Sequence, residues 1–166
     1  MDPAAVPISR RCEHCGHPSH GRPIIAGVPL SFNVSHSGPL ALVAVLERDA
    51  RVGVDVEVVR SRGRLDALAR RIFDSDEYAA WLDRDDPDAR LRAFFEMWTV
   101  KEAILKARGV GITTALREVP HHPDGWTVAR FSPRDGFVAA LAADQAVGVD
   151  VREHALGVTP NGGTAR

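Results

Sequence analysis

Valine occupies positions 52, 54, 56 and 58, with Asp55 and Glu57 interleaved between the later ones. A period of two belongs to an extended strand, so Arg51 to Val58 reads as one strand with an apolar face and a face bearing two carboxylates. Such a strand cannot stand alone. It needs partners along its edges and cover over its valine face, so the chain is committed to a sheet with something packed on it. Ala89 to Arg108 offers that cover: Phe94, Met97, Ile104 and Leu105 fall on one arc of a helix, and Gly109 stands where a C-cap belongs.

The rest of the chain is read around this pair. Residues 1–30 are rich in Pro, Gly, Ser and His and read as irregular. Ser31 to Val34 and Leu40 to Leu46 read as strands of a hairpin around a Ser35-His36-Ser37-Gly38-Pro39 turn. Leu65 to Phe73 and Glu77 to Leu82 are expected as helices, the second capped by Ser75 or Asp76, and Asp83 to Asp88 as a charged loop ending near Pro87. Further strands are expected at Leu116 to Val119, Gly125 to Phe131, Gly136 to Ala142 and Ala146 to Val151, giving an antiparallel α+β organisation. The last of these contains Val147-Gly148-Val149-Asp150-Val151, a repeat of Val52-Gly53-Val54-Asp55-Val56, and is read as a second strand of similar burial. The tail from Ala155 is expected to be disordered.

A chain of 166 residues suits one domain or two small fused halves, and 45% hydrophobic with 26% charged residues is a globular composition. A formal net charge of -1 removes the basic balance that general nucleic-acid binding needs. No run reaches the roughly 20 apolar residues of a membrane span, and the N-terminal residues lack a signal-peptide core, so a cytoplasmic protein without a membrane partner is expected. Cys12 and Cys15 lie too close together to staple a fold. The basic residues are 19 arginines and two lysines, Lys101 and Lys106, both on the same predicted helix, where a compact ammonium has a use that arginine does not serve.

Asp55 and Glu57, two residues apart on one strand face, are able to share a hard cation that keeps some of its waters; a solvated strand face is the alternative. Glu102 would complete a three-carboxylate set and the lysines would meet a polyanion, whereas Glu102 and Lys106 at i and i+4 are also a common surface pair.

Three segments in order, Phe32-Asn33-Val34-Ser35-His36-Ser37, Gly53-Val54-Asp55-Val56-Glu57 and Trp98-Thr99-Val100-Lys101-Glu102-Ala103, make the chain resemble the Sfp-type 4′-phosphopantetheinyl transferases, over about Gly21 to Val119. The resemblance implies an α+β fold that is a pseudo-dimer of two α/β halves, with the N-terminal half incomplete here. The expected divisions are a shortened N-terminal half over 1–50, a metal-binding half over 51–154 and a tail over 155–166. It implies Mg²⁺ on Asp55, Glu57 and Glu102, coenzyme A phosphates on Lys106 and Lys101 and against Ser35 and His36, the nucleotide end on Arg22, and catalytic roles for Glu102, Lys106 and Glu77, the last assisting removal of a proton. The implied reaction moves the 4′-phosphopantetheine group of coenzyme A to a serine of an apo acyl or peptidyl carrier protein and releases 3′,5′-ADP. The order of the segments belongs to the fused class of these enzymes, and a monomer or a dimer is expected.

Only about 50 residues precede Asp55, so a second expectation is a non-catalytic remnant of that family that binds a carrier protein or a nucleotide. A third is a small zinc module built on Cys12, Cys15, His17 and His20, whose spacing is cramped for that metal. Arg60, Arg62, Arg64, Arg70 and Arg71 are candidates to receive an acidic carrier protein, with a solvated helix face as the alternative.

Overall fold

A computed structural model describes residues 5–10, 22–47, 50–61, 63–110 and 115–154. The order of elements is β1 (Ile8–Arg10), β2 (Pro23–Ile25), β3 (Ser31–Ser37), β4 (Leu40–Leu46), β5 (Val52–Val58), α1 (Leu65–Ile72), α2 (Ser75–Leu82), α3 (Pro87–Arg108), a 3₁₀ turn at Leu116–Glu118, β6 (Thr127–Phe131) and β7 (Phe137–Ala143). The strands before residue 50 form one antiparallel sheet in the order β1-β2-β3-β4, and those after it form a second in the order β5-β7-β6. This is the α+β arrangement expected, with helices on the second sheet and two strands at 8–10 and 23–25 where irregular chain was expected.

β5 is enclosed on both faces. Val52, Val54 and Val56 are buried against Ala44, Leu42 and Leu40 of β4 and against Leu141 and Ala139 of β7. The opposite face meets α3, and Gly53 lets the helix backbone come close: a Cβ there would stand 2.6 Å from the Ala107 nitrogen and closer still to the Ala103 carbonyl. One edge of β5 pairs with β7 through the full register Val52↔Ala143 to Val58↔Phe137.

The other edge of β5 is satisfied in an unusual way. The N–H groups of Val52, Val54, Val56 and Val58 donate to the side-chain oxygens of Ser31, Asn33, Ser35 and Ser37, at 3.3, 3.1, 3.3 and 3.1 Å. Alternate polar side chains of β3 thus act as rungs joining the two sheets, which is why the inward face of β3 is polar and yet Ser31, Asn33 and Ser35 are buried. The turn expected at 35–39 is therefore confined to Gly38 and Pro39, because Ser35 and Ser37 are held in the strand by their partners on β5.

Asp74, rather than Ser75 or Asp76, caps α2: its carboxylate accepts from the N–H groups of Asp76 and Glu77, while the Glu77 carboxylate accepts from the N–H of Asp74. α3 begins two residues earlier than expected, because Asp86 caps it and Pro87 fits the first turn, where no N–H is required. Gly109 ends it at φ 71°. The strand expected at 116–119 is the 3₁₀ turn, its bonds closing locally onto Ala115 and Leu116. The repeat at 147–151 is not a strand, and Val149 and Val151 are exposed; its backbone is held by Val147 on the Thr127 hydroxyl, and it walls an apolar groove of ≈ 360 Å³ alongside β4. The tail expectation for 155–166 and the Cys12, Cys15, His17 and His20 set lie outside the described residues. No helix among the described residues is long and apolar enough to cross a membrane.

Candidate active site

Where β3, β5 and α3 meet, three side chains from distant parts of the sequence converge. Lys106 Nζ donates to Asp55 Oδ1 at 2.7 Å, to Ser35 Oγ at 3.0 Å and to the Val54 carbonyl at 3.1 Å, which uses its three protons. Ser35 Oγ donates to the same Asp55 oxygen at 2.9 Å. The other carboxylate oxygen, Asp55 Oδ2, is buried and has no hydrogen-bond partner among the described residues. Burial is the largest influence on Asp55 and raises its pKa, against the lowering effect of Lys106 and the hydrogen bonds from Ser35 and Val56.

Glu102 precedes Lys106 by one helical turn and feels the same group of charges. Burial again comes first in raising its pKa; the negative charges of Asp55 and Glu57 push in the same direction and Lys106 opposes them. Glu57 is half-buried, with Ser37 Oγ at 3.5 Å from its Oε2. Three carboxylates whose mutual repulsion is felt in a partly desolvated corner are a donor set of hard oxygens. Among the described residues no three His, Cys, Asp or Glu side chains converge closely enough to cage an ion as they stand. Lys106 supplies the positive charge at Asp55 in this arrangement, and the bare Oδ2 is the atom that a further cation would satisfy. The set fits Mg²⁺, which takes one or a few carboxylates and retains water rather than demanding an all-protein cage.

Glu77 and Lys101 do not join this cluster. They form a separate buried pair, Lys101 Nζ to Glu77 Oε2 at 2.6 Å, with side chains 0% and 3% exposed. Lys101 also donates to the Leu116 carbonyl at 3.1 Å, and Glu77 Oε1 lies 2.8 Å from His121 Nδ1. Lys101, expected to contact the phosphates of a bound nucleotide, has its ammonium fully buried here against a carboxylate and a carbonyl. Glu77 is likewise engaged at both oxygens. His121 was missed from the sequence, since a histidine after a proline in a connecting loop carries no periodic signal.

Ser35 and His36 also separate. Consecutive residues of a strand face opposite ways, so Ser35 turns inward to Asp55 while His36 is exposed on the outer face of the first sheet. Arg22 donates from Nη1 to Ser31 Oγ at 2.8 Å, and its Cβ lies beside Gly109 at the end of α3. Of the arginines named as a docking face, Arg64 takes the left-handed conformation before α1 and Arg70 is bound to Asp66 at 3.0 Å, while Arg60 and Arg71 are exposed and Arg62 is outside the described residues.

The model of the 4′-phosphopantetheinyl transferase superfamily matches residues 51–159, about two thirds of the chain, which takes in β5, α3 and the Asp55, Glu57, Glu102 and Lys106 cluster. The chain belongs to this superfamily. It is similar to the 4′-phosphopantetheinyl transferase HetI of Nostoc sp., at 39% identity over 75% of this chain and 57% of that protein. It is also similar to AcpT of Salmonella typhi, at 42% identity over 54% of this chain and 46% of that protein, and to a 4′-phosphopantetheinyl transferase of Bacillus subtilis, at 32% over 70% and 47%. A solved holo-[acyl-carrier-protein] synthase of Thermotoga maritima overlaps 56% of this chain at 24% identity and a TM-score of 0.45. The chain spans about half the length of the curated transferases it matches.

Proposed function

We propose that this member of the 4′-phosphopantetheinyl transferase superfamily transfers the 4′-phosphopantetheine group of coenzyme A to a serine of an apo acyl or peptidyl carrier protein, with Mg²⁺ and with release of 3′,5′-ADP. The observation that carries this reading is Asp55: a buried carboxylate with an ammonium on one oxygen and no hydrogen-bond partner among the described residues on the other, beside Glu102, whose pKa is raised by burial and by the charges of Asp55 and Glu57. Two more negative charges beside an unsatisfied buried carboxylate are unfavourable in the protein alone and become favourable when a dication and a phosphate enter together.

Asp55, Glu57 and Glu102 would hold the Mg²⁺, which when bound neutralises pyrophosphate charge as the phosphoryl bond changes hands. Lys106, partly open to solvent, is the residue of this chain that would swing a proton-bearing donor from Asp55 to a phosphate oxygen. Ser35 would keep Asp55 oriented while Lys106 is engaged elsewhere, since its hydroxyl is fixed by the Val56 N–H. Arg22, at the end of α3 where Lys106 emerges, is a second cation for the nucleotide. Residues 1–50 and 51–154 are proposed as the two halves flanking that nucleotide, and the cytoplasm as the setting. Carrier proteins of fatty-acid, polyketide or nonribosomal-peptide synthesis are the proposed acceptors.

Intact-mass spectrometry tests the reading: an apo carrier protein incubated with the chain, coenzyme A and Mg²⁺ is expected to gain one phosphopantetheinyl group, and EDTA is expected to abolish the gain. No gain from folded protein against carriers of all three kinds rejects it.

A further inference from the structure

The chain Lys101–Glu77–His121 joins three separate segments at one buried point. Glu77 comes from the first turn of α2 and holds the N–H of Asp74 through the same oxygen that meets Lys101. Lys101 comes from the middle of α3 and binds the Leu116 carbonyl in the connector beyond the helix. His121 comes from that connector and meets the second oxygen of Glu77. Of the three, only the His121 side chain reaches solvent, at 39% exposure; it opens on a cleft of ≈ 350 Å³ lined also by Trp81 and Met97, and its ring packs edge-on against His122 at 4.7 Å.

We propose that His121 is a positioning residue: it holds Glu77 on Lys101, and thereby fixes the turn of α3 whose next residue is Glu102. The proposal rests on the reading of Glu102 as a metal-side carboxylate. Its physical basis is satisfaction of a buried acceptor. The Glu77 side chain is almost wholly enclosed, so without a donor at Oε1 that oxygen would be stranded, and the carboxylate would turn to seek another partner. Lys101, itself fully buried, would follow its counter-charge. Lys101 and Glu102 are consecutive on one rigid helix, so a shift that re-seats Lys101 moves Glu102 relative to Asp55, which sits on β5 and is held from outside the helix by Ser35 of β3. Nδ1 carries the proton to Glu77 both in the imidazolium and in the neutral tautomer with Nδ1–H, so a donor is available at Oε1 in each form.

The chain has only two lysines, which gives a direct probe. With isotope-labelled lysine, the ammonium of Lys101 is expected to give a slowly exchanging NMR signal, distinct from that of the partly exposed Lys106. His121→Ala is expected to abolish the protection of Lys101 and to weaken Mn²⁺ binding, read by electron paramagnetic resonance, by about tenfold. His121→Gln, which keeps an N–H donor, is expected to restore both. Should His121→Ala fail to unfold cooperatively, His121→Phe, which fills the space without a donor, takes its place with the same expectations. A donor-free variant that is folded and keeps both the protected signal and wild-type Mn²⁺ affinity overturns the proposal, as does a variant that changes the signal and leaves the affinity unchanged. Wild-type protein that binds no Mn²⁺ overturns the reading of Glu102 and removes this proposal with it, which separates that failure from one confined to His121.

Discussion

Asn33 on β3 and Val54 on β5 are joined by a bond that belongs to neither sheet: the Asn33 side-chain oxygen accepts the Val54 N–H at 3.1 Å, in the middle of four such rungs. Both residues are buried, so Asn33→Ala leaves an amide with no water to replace the lost acceptor. A loss of about 1–3 kcal/mol is expected. Urea unfolding followed by tryptophan fluorescence measures it, and an unchanged midpoint would show that the rung contributes nothing.

Gly53 is under a different constraint. A Cβ at this position meets the backbone of α3 at Ala103 and Ala107, which cannot move aside as a flexible side chain would. Gly53→Ala is expected to cost about 3 kcal/mol or more by pushing α3 off β5. Because α3 carries Glu102 and Lys106 while β5 carries Asp55, the same variant should also lose any response to divalent cations. Thermal unfolding with and without Mg²⁺ reads both effects.

These two positions mark what a sequence can disclose. The strand Val52–Val58 and the helix ending at Gly109 were legible because a periodic apolar face and a cap are local patterns. Ser31 to Val34 was legible as a strand, but Ser35 and Ser37 read locally as turn-forming residues, because the N–H groups that hold their side chains lie on the edge of β5, about twenty residues away. The repeat at 147–151 fails for the converse reason. Its five residues match those of β5, but β5 has β7 on one edge and the β3 rungs on the other, whereas among the described residues the repeat's backbone is held at Val147 by the Thr127 hydroxyl. In the site, the resemblance groups Asp55, Glu102 and Lys106, and the structure brings Lys106 onto Asp55. The contact of His121 with Glu77 left no trace in the sequence, since the buried acceptor it meets is 44 residues away.

Glu102 is raised in pKa by burial and by the charges of Asp55 and Glu57, so its ionised form is disfavoured in the metal-free protein. Glu102→Gln removes that repulsion while keeping shape. The expected outcome is a variant that melts at a higher temperature than wild type in EDTA and no longer gains stability from added Mg²⁺. Differential scanning calorimetry in the two buffers decides it; a variant that melts lower in EDTA would mean that Glu102 is held by favourable partners instead.

Tyr78 is the chain's one tyrosine, so its titration can be followed by ultraviolet absorbance without interference. Its hydroxyl donates to Asp66, which raises the pKa of the phenol and, with Arg70, lowers that of the carboxylate. The folded phenol is therefore expected to titrate above the usual value of about 10, and Asp66→Asn should bring it back toward that value. The linkage has two ends. Stability from the raised phenol is fully present below about pH 10 and is lost as pH climbs through the folded value, while stability from the lowered carboxylate is present above about pH 4 and is lost as pH falls through its folded value. A wild-type phenol that titrates at the ordinary value would show that the contact does not persist in solution.

Lys101 and Glu77 provide the sharpest energetic test, because both side chains are enclosed and each is the other's counter-charge. Lys101→Met leaves the Glu77 carboxylate buried with only His121 and the Asp74 N–H beside it, and strands the Leu116 carbonyl. Breaking a buried pair from one side costs about 3–5 kcal/mol, mostly the penalty of the charge left behind. Replacing both partners, as in Lys101→Met with Glu77→Leu, removes that charge as well, so the double variant should be more stable than the Lys101→Met single variant. It should still fall short of wild type, because the capping box at Asp74 loses its reciprocal half when Glu77 goes. Urea unfolding of the wild type, both single variants and the double variant gives the coupling directly. Additive losses would mean that the two side chains act independently, and the buried pair would then not be what ties α2 to α3.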